Sequence, residues 1–275
     1  MQDYELHINR QYGRPDLGDE LLRALQSAGK DIQALTRDDV RTFEEFHLRG
    51  RGATRELARL AELQPGMRVL DVGSGVGGPA RTLVAEFGCQ VTGIDLSRSY
   101  CQAAEILTTR MGLSDKVSFR HANALDMPFE DQRFDAVWMQ HVLMNIEDKA
   151  RLVVEVRRVL RDGGAFVFHE VLTGSGERLH FPLPWANQPE ISFMVSSEEL
   201  RQLLDAAGLK ERAWIDETEE VLVWGRRAMA PRPEGTPAPL GLDLVIGPDY
   251  AEKTANLLRN LEEGRVVVVQ AVFAR

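Results

Sequence analysis

Cysteine is scarce in this chain: its 275 residues include only Cys89 and Cys101, too few for a disulfide framework and no basis for a metal-ligand cluster. Positive charge is also in deficit. With 33 Lys and Arg against 42 Asp and Glu, a net charge of −9 leaves no broad field for a phosphate backbone and argues against non-specific nucleic-acid binding. The pairs Arg157-Arg158 and Arg226-Arg227 read as solvated helix faces. No apolar run has the length of a membrane span. The start, Met1-Gln2-Asp3-Tyr4-Glu5, lacks the basic residues and apolar core of a secretory signal, so a cytoplasmic protein is expected. There is no internal repeat and no low-complexity tract. The remaining composition, 44% hydrophobic and 27% charged, is that of a globular fold able to bury a full core.

What is present centres on Val69-Leu70-Asp71-Val72-Gly73-Ser74-Gly75-Val76-Gly77-Gly78. Apolar residues, a tight Gly-rich turn and the helix start Pro79-Ala80-Arg81 form a strand–turn–helix unit that brings a nucleotide-like ligand against bare backbone. Read literally, Gly73-x-Gly75-x-x-Gly78 matches the dinucleotide fingerprint, with Asp95 where a ribose-binding acid would sit. Asp71 argues for a different ligand. A carboxylate two residues before the first glycine repels a pyrophosphate and suits a ligand carrying a cationic group.

Around this unit the elements alternate as in α/β proteins. Strands are predicted over 69–72, 90–95, 117–120, 134–139 and 165–168, with helices over 79–87, 98–111 and 149–160 between them. The strand–helix–strand order implies right-handed crossovers and a mostly parallel sheet. Ser196-Ser197-Glu198-Glu199 opens a further helix with a capping box, and Gly208 closes it. Residues 226–239, with four prolines, read as a surface loop, 249–263 as a helix, and 265–273 as a buried strand. Thr36 and Thr54 mark helix starts in the first 60 residues.

The run from Val69 to Gly77 resembles the signature of class I S-adenosylmethionine (SAM)-dependent methyltransferases. Its extension Gly77-Gly78-Pro79-Ala80-Arg81 is similar to a branch acting on small molecules, which includes ubiquinone and menaquinone, sterol, tocopherol and sarcosine or dimethylglycine enzymes. The likeness continues in order over roughly residues 45–215. It implies a Rossmann-like, mostly parallel seven-stranded sheet in which one strand, the last, runs antiparallel beside the fifth. It also implies a helical lid over 1–60, and substrate caps at about 172–195 and 219–264 inserted in a domain spanning 61–275. A small-molecule acceptor, no metal, and a monomer or homodimer are expected.

Sheets of this kind bind ligands at the carboxyl ends of their strands. The resemblance assigns Asp71, Gly73, Gly75 and Gly77 to the methionine part of SAM. Asp95, followed by Leu96, is placed on the ribose hydroxyls, since one carboxylate accepts from both. Asn123 and Ala124 fall at adenine, with an amide where the family often has an acid. Gln140 and His141 close the fourth strand beside the reacting methyl, and His169-Glu170 ends the fifth, facing the same cleft. His141 is the candidate base, with a wall histidine as its structural alternative. Glu170 is expected to orient a hydroxyl or pair with an ammonium. His47, Asn145, Trp185 and Phe193 are candidate acceptor contacts. The expected activity is methyl transfer to O, N or C, giving S-adenosylhomocysteine (SAH). The alternatives are a non-catalytic SAM-binding module and a nicotinamide-dependent oxidoreductase.

Overall fold

The computed structural model describes residues 14–229 and 240–275. Seven strands form one sheet in the order β3-β2-β1-β4-β5-β7-β6. They are β1 (Arg68–Val72), β2 (Gln90–Asp95), β3 (Val117–His121), β4 (Phe134–Gln140), β5 (Leu160–Thr173), β6 (Lys210–Asp216) and β7 (Val266–Ala274). The first five pair in parallel, while β7 runs antiparallel to both β5 and β6. The inner strands are apolar along their length because helices cover both faces. Along β1 the alternation sorts them: Val69 packs with Leu83, Ala104 and Trp138 on one face, and Leu70 with Val137, Leu152 and Phe166 on the other.

The first face carries α3 (Arg51–Leu60), α4 (Gly78–Phe87) and α5 (Arg98–Arg110), the second α6 (Lys149–Val159) and α7 (Ser197–Ala206). Ser97 caps α5 and the Ser196–Glu199 box opens α7, as their sequences require. Helices α1 (Leu17–Ser27) and α2 (Arg37–Val40) precede them, and Leu17, Leu21 and Leu25 pack on Ala103 and Leu107 of α5. Near the end of the chain, α8 (Thr218–Ala228), α9 (Asp243–Ile246) and α10 (Tyr250–Glu262) complete the order. Val221 of α8 and Leu257 of α10 pack with Val266 and Val268 of β7, and with Leu183 and Trp185 of the preceding irregular segment.

Three expectations need correction, and one strand was not anticipated. Strand β5 runs from Leu160 to Thr173, well beyond the expected 165–168, with an irregular start where its register against β4 shifts. Strand β6 carried no clear pattern; as an edge strand it leaves Lys210, Glu211, Arg212, Ile215 and Asp216 exposed. Helix α3 starts at Arg51, not Thr54, whose side chain is buried inside it. Helix α8 continues through Arg226 and Arg227, and residues 230–239 of the expected proline loop lie outside the described residues.

A buried ion pair fastens the N-terminal segment to the sheet. Nη2 of Arg81 donates to Oε2 of Glu44 at 2.9 Å, and neither side chain is exposed. Gly78 permits this approach, since a Cβ there would meet the Glu44 carbonyl oxygen at 2.2 Å. Arg81→Ala leaves the buried Glu44 carboxylate paired with Arg51 alone, and denaturant unfolding is expected to show a loss of about 3 kcal/mol, the low end for a broken buried pair. A loss below about 1 kcal/mol, the range of exposed pairs, would contradict this role.

Candidate active site

The strand order reverses between β1 and β4, and a cleft opens there at the carboxyl ends of β1, β2 and β4. The turn after β1 forms one wall. Gly73 adopts φ +72°, and a Cβ on it would lie 2.3 Å from Val142 of the loop after β4. Backbone N–H groups of Gly73 and Ser74 donate to the Ile94 carbonyl at 2.8 and 3.0 Å. Asp95 completes the turn: Oδ2 accepts the N–H of Gly75 at 2.9 Å and Oδ1 that of Ser97 at 2.8 Å. Gly73, Gly75, Asp95, Leu96, Asn123, Ala124 and Gln140 all line the cleft. Gly77 does not, because its missing Cβ makes room for Phe119 and Arg81 behind the wall.

Asp71 is also not on the wall. It is buried behind Val72 and Gly73, and its Oδ2 has no hydrogen-bond partner. Burial, with the charges of Asp95 and Glu45 nearby, pushes its carboxyl up to about 8, although an N–H of Ala80 opposes the shift. Burial raises Asp95 as well. No lysine or arginine lines the cleft among the described residues, so its acidic field is uncompensated. Ser74 lines the wall with an equally partnerless Oγ.

Asn123 uses Oδ1 to accept the N–H of Leu125 at 2.8 Å in an Asx turn. Gln140 is held from two sides: Trp138 Nε1 donates to its Oε1 at 2.8 Å, and Thr54 Oγ1 lies 3.2 Å from the same atom. His47 is buried, with Nε2 3.0 Å from the Glu45 carboxylate, and it lines the cleft with His141, Asn145 and Trp185. His141 sits at φ +55°, a conformation that a non-glycine residue holds only when its surroundings impose it. Burial drives its imidazole well below the ordinary range, so the ring is neutral.

Glu170 supplies part of that constraint and is not in the cleft. Successive residues of a strand point to opposite faces. His169 therefore turns toward the histidines, while Glu170 accepts the N–H groups of Val142 at 2.9 Å and Leu143 at 3.2 Å. Burial raises its carboxyl to about 8. Phe193 is likewise off the wall, and its carbonyl accepts from Lys149. Phe46, Tyr100, Met144 and Ile246 line the cleft without having been anticipated. Their side chains carry no sequence signal of a site, and only the fold brings Ile246 to the others.

The architecture and cleft define a Rossmann-like methyltransferase fold of class I. Residues 70–168 match the family described as a methyltransferase domain. It is 41% identical over 116 residues to sterol 24-C-methyltransferase ERG6B of Gibberella zeae, a match covering 42% of this chain and 30% of that enzyme. It is 28% identical to sarcosine/dimethylglycine N-methyltransferase of Halorhodospira halochloris, over 80% of this chain and 78% of the relative. Among solved structures, geranyl diphosphate C-methyltransferase from Streptomyces coelicolor A3(2) superposes with a TM-score of 0.71 at 18% identity, over 99% of this chain and 98% of that one.

The Asp71 carboxyl gives a pH signature. Its ordinary value of 3.8 applies to the unfolded chain and about 8 to the native one. The native state thus keeps a proton that the unfolded chain loses. This contribution to stability is intact below about pH 4 and lost by about pH 8. Glu170 acts in the same direction and cancels in a comparison with Asp71→Asn. The unliganded variant is expected to lose less stability than wild type between about pH 5 and about pH 8 in denaturant unfolding. Parallel stability curves would contradict the assignment.

Proposed function

We propose that this protein is a SAM-dependent methyltransferase acting on a small molecule and releasing SAH. The observation that carries the reading is the cation-free cleft over buried carboxylates, at the sheet's reversal point, with a glycine turn for a wall. A dinucleotide pyrophosphate is disfavoured there. A ligand with an ammonium and a sulfonium is stabilised, and its approach favours the ionised form of Asp71. The residues present fit such a group: the partnerless hydroxyl of Ser74 lies on the wall, the Asp71 carboxyl acts through its charge from behind it, and the Asp95 carboxylate suits ribose hydroxyls. Gly73 and Gly75 would approach the methionine part, Leu96, Asn123 and Ala124 the adenosine, and Gln140 the reacting end.

SAM supplies a methyl group on a positively charged sulfur that leaves as a neutral thioether. The protein's task is to align the acceptor and exclude water. Glu170 fixes the loop after β4 through its two backbone contacts, and that loop presents His141 to the acceptor. His141, neutral and half-buried on the cleft wall, serves as proton acceptor when the nucleophile carries a proton. Met144, Asn145, Pro184, Trp185 and Ile246 form the acceptor side.

Thermal-shift and denaturation titrations test the cofactor. SAM and SAH are each expected to stabilise the fold, by about 2.7 kcal/mol at a hundredfold excess over Kd, while NAD has no effect. Asp95→Ala is expected to weaken SAH binding about tenfold or more, roughly 1.4 kcal/mol, by calorimetry. Stabilisation by NAD and not by SAH would replace this reading with an oxidoreductase.

A further inference from the structure

Three imidazoles from separate parts of the chain cluster at the cleft, His47 and His141 on its wall and His169 buried behind them. The ring centroids of His47 lie 6.0 Å from His141 and 5.7 Å from His169, and those of His141 and His169 are 4.9 Å apart. His47 is engaged by the Glu45 carboxylate and the Leu48 carbonyl. The other two are not. Nε2 of His141 and both ring nitrogens of His169 are buried with no hydrogen bond, as is Oε2 of Glu217. Leaving such groups buried without partners is destabilising, and packing alone does not explain it.

These groups form a line. Nε2 of His169 stands 3.4 Å from Oε2 of Glu217, and the other oxygen of Glu217 accepts from Arg49 at 2.6 Å. Arg49 also pairs with Glu56 at 2.7 Å. Side-chain exposure rises along it, from 0% at His169 through 7% at Glu217 and 16% at Arg49 to 48% at Glu56. The line leads from His141 on the cleft wall to solvent.

We propose that His141, His169 and Glu217 form a proton exit for the methyl transfer, and that the acceptor is an uncharged, largely apolar hydroxyl compound. This rests on the methyltransferase reading above. An acceptor hydroxyl must shed a proton, whereas an amine that arrives neutral needs no base to attack. As an oxygen lone pair forms the new C–O bond, the C–S bond pair stays on the departing sulfur and the hydroxyl proton passes to the imidazole of His141, which lines the cleft. The imidazolium gives a proton to His169. Glu217 then takes it up as a carboxylic acid and exchanges it with solvent beside Arg49. Burial keeps His141 and His169 neutral and ready to accept. The charged groups near them are Glu45, held through His47, and Arg49 with Glu217. Gln140, Thr54 and Gln270, the partner of His169 across the β5–β7 pair, are uncharged. Glu170 and Lys149 lie on the opposite side, bound to backbone groups. The acceptor side is apolar, with Phe46, Met144, Ile146, Trp185 and Ile246 on its walls, and offers no cation among the described residues for a phosphate or carboxylate.

The test uses the full chain saturated with SAH and 4-nitrophenol as probe, whose ionised form is coloured. Wild type is expected to bind 4-nitrophenol with a phenolate-to-phenol ratio about tenfold above that of the free compound at the same pH, a shift of one pKa unit. It is expected not to bind 4-nitrophenyl phosphate. His169→Gln, His169→Asn and Glu217→Gln should keep their SAH affinity, which reports intact folding, while the excess falls to about twofold or less. Failure of 4-nitrophenol to bind, equal binding of the phosphate, an unshifted ratio in wild type, or a wild-type ratio in the folded variants would each overturn the proposal. Failure of wild type to bind SAH would overturn the methyltransferase reading instead.

Discussion

Asp95 accepts the backbone N–H of Gly75 with one carboxylate oxygen and that of Ser97 with the other, and the shape of the cleft depends on this double contact. It ties the turn after β1 to the start of α5, so one side chain at the end of β2 holds two adjacent strand ends together. Gly73 lets the loop after β4 pack against that turn. Three strand ends are thereby brought within reach of one ligand, and the backbone defines the wall.

The charge distribution follows from the same packing. Glu44 is neutralised by Arg81 and Arg51, and Glu217 by Arg49, so the available cations are spent on fastening the N-terminal segment and the cap. Asp71 and Asp95 are left without such a partner at the cleft. In a low-dielectric setting their unfavourable ionisation becomes favourable when a cation arrives. The site resists ionisation when empty and gains most from a positively charged ligand.

Much of this was legible in the sequence. The order of strands and helices, the glycine turn, Asp95 and the antiparallel last strand carry strong local patterns or a specific resemblance. Strand β6 was not legible, because an exposed edge needs no alternation of apolar residues. Glu170 and His169 show a different limit. Both were placed in the cleft, yet neighbouring residues of a strand cannot share a face, and only His169 turns toward the other histidines. Gly77 failed for a related reason: its motif position was read, but the crowding by Phe119 is a property of the assembled sheet. Ile246 reaches the cleft through tertiary packing that no local motif encodes.

The position of β7 bears on how the molecule comes to be made. Residues 266–274 lie between β5 and β6, pairing nine positions of β5 and joining β6 to the sheet. During synthesis the sheet grows outward from β1, yet β6 has no strand to pair with until a segment some fifty residues later emerges. Until then the apolar edge of β5 is open, the kind of edge on which chains associate. Closure of the sheet, the packing of α8 and α10, and the setting of Glu217 against His169 therefore belong to one late event. A nascent chain can shape the SAM side of the cleft well before its acceptor side exists.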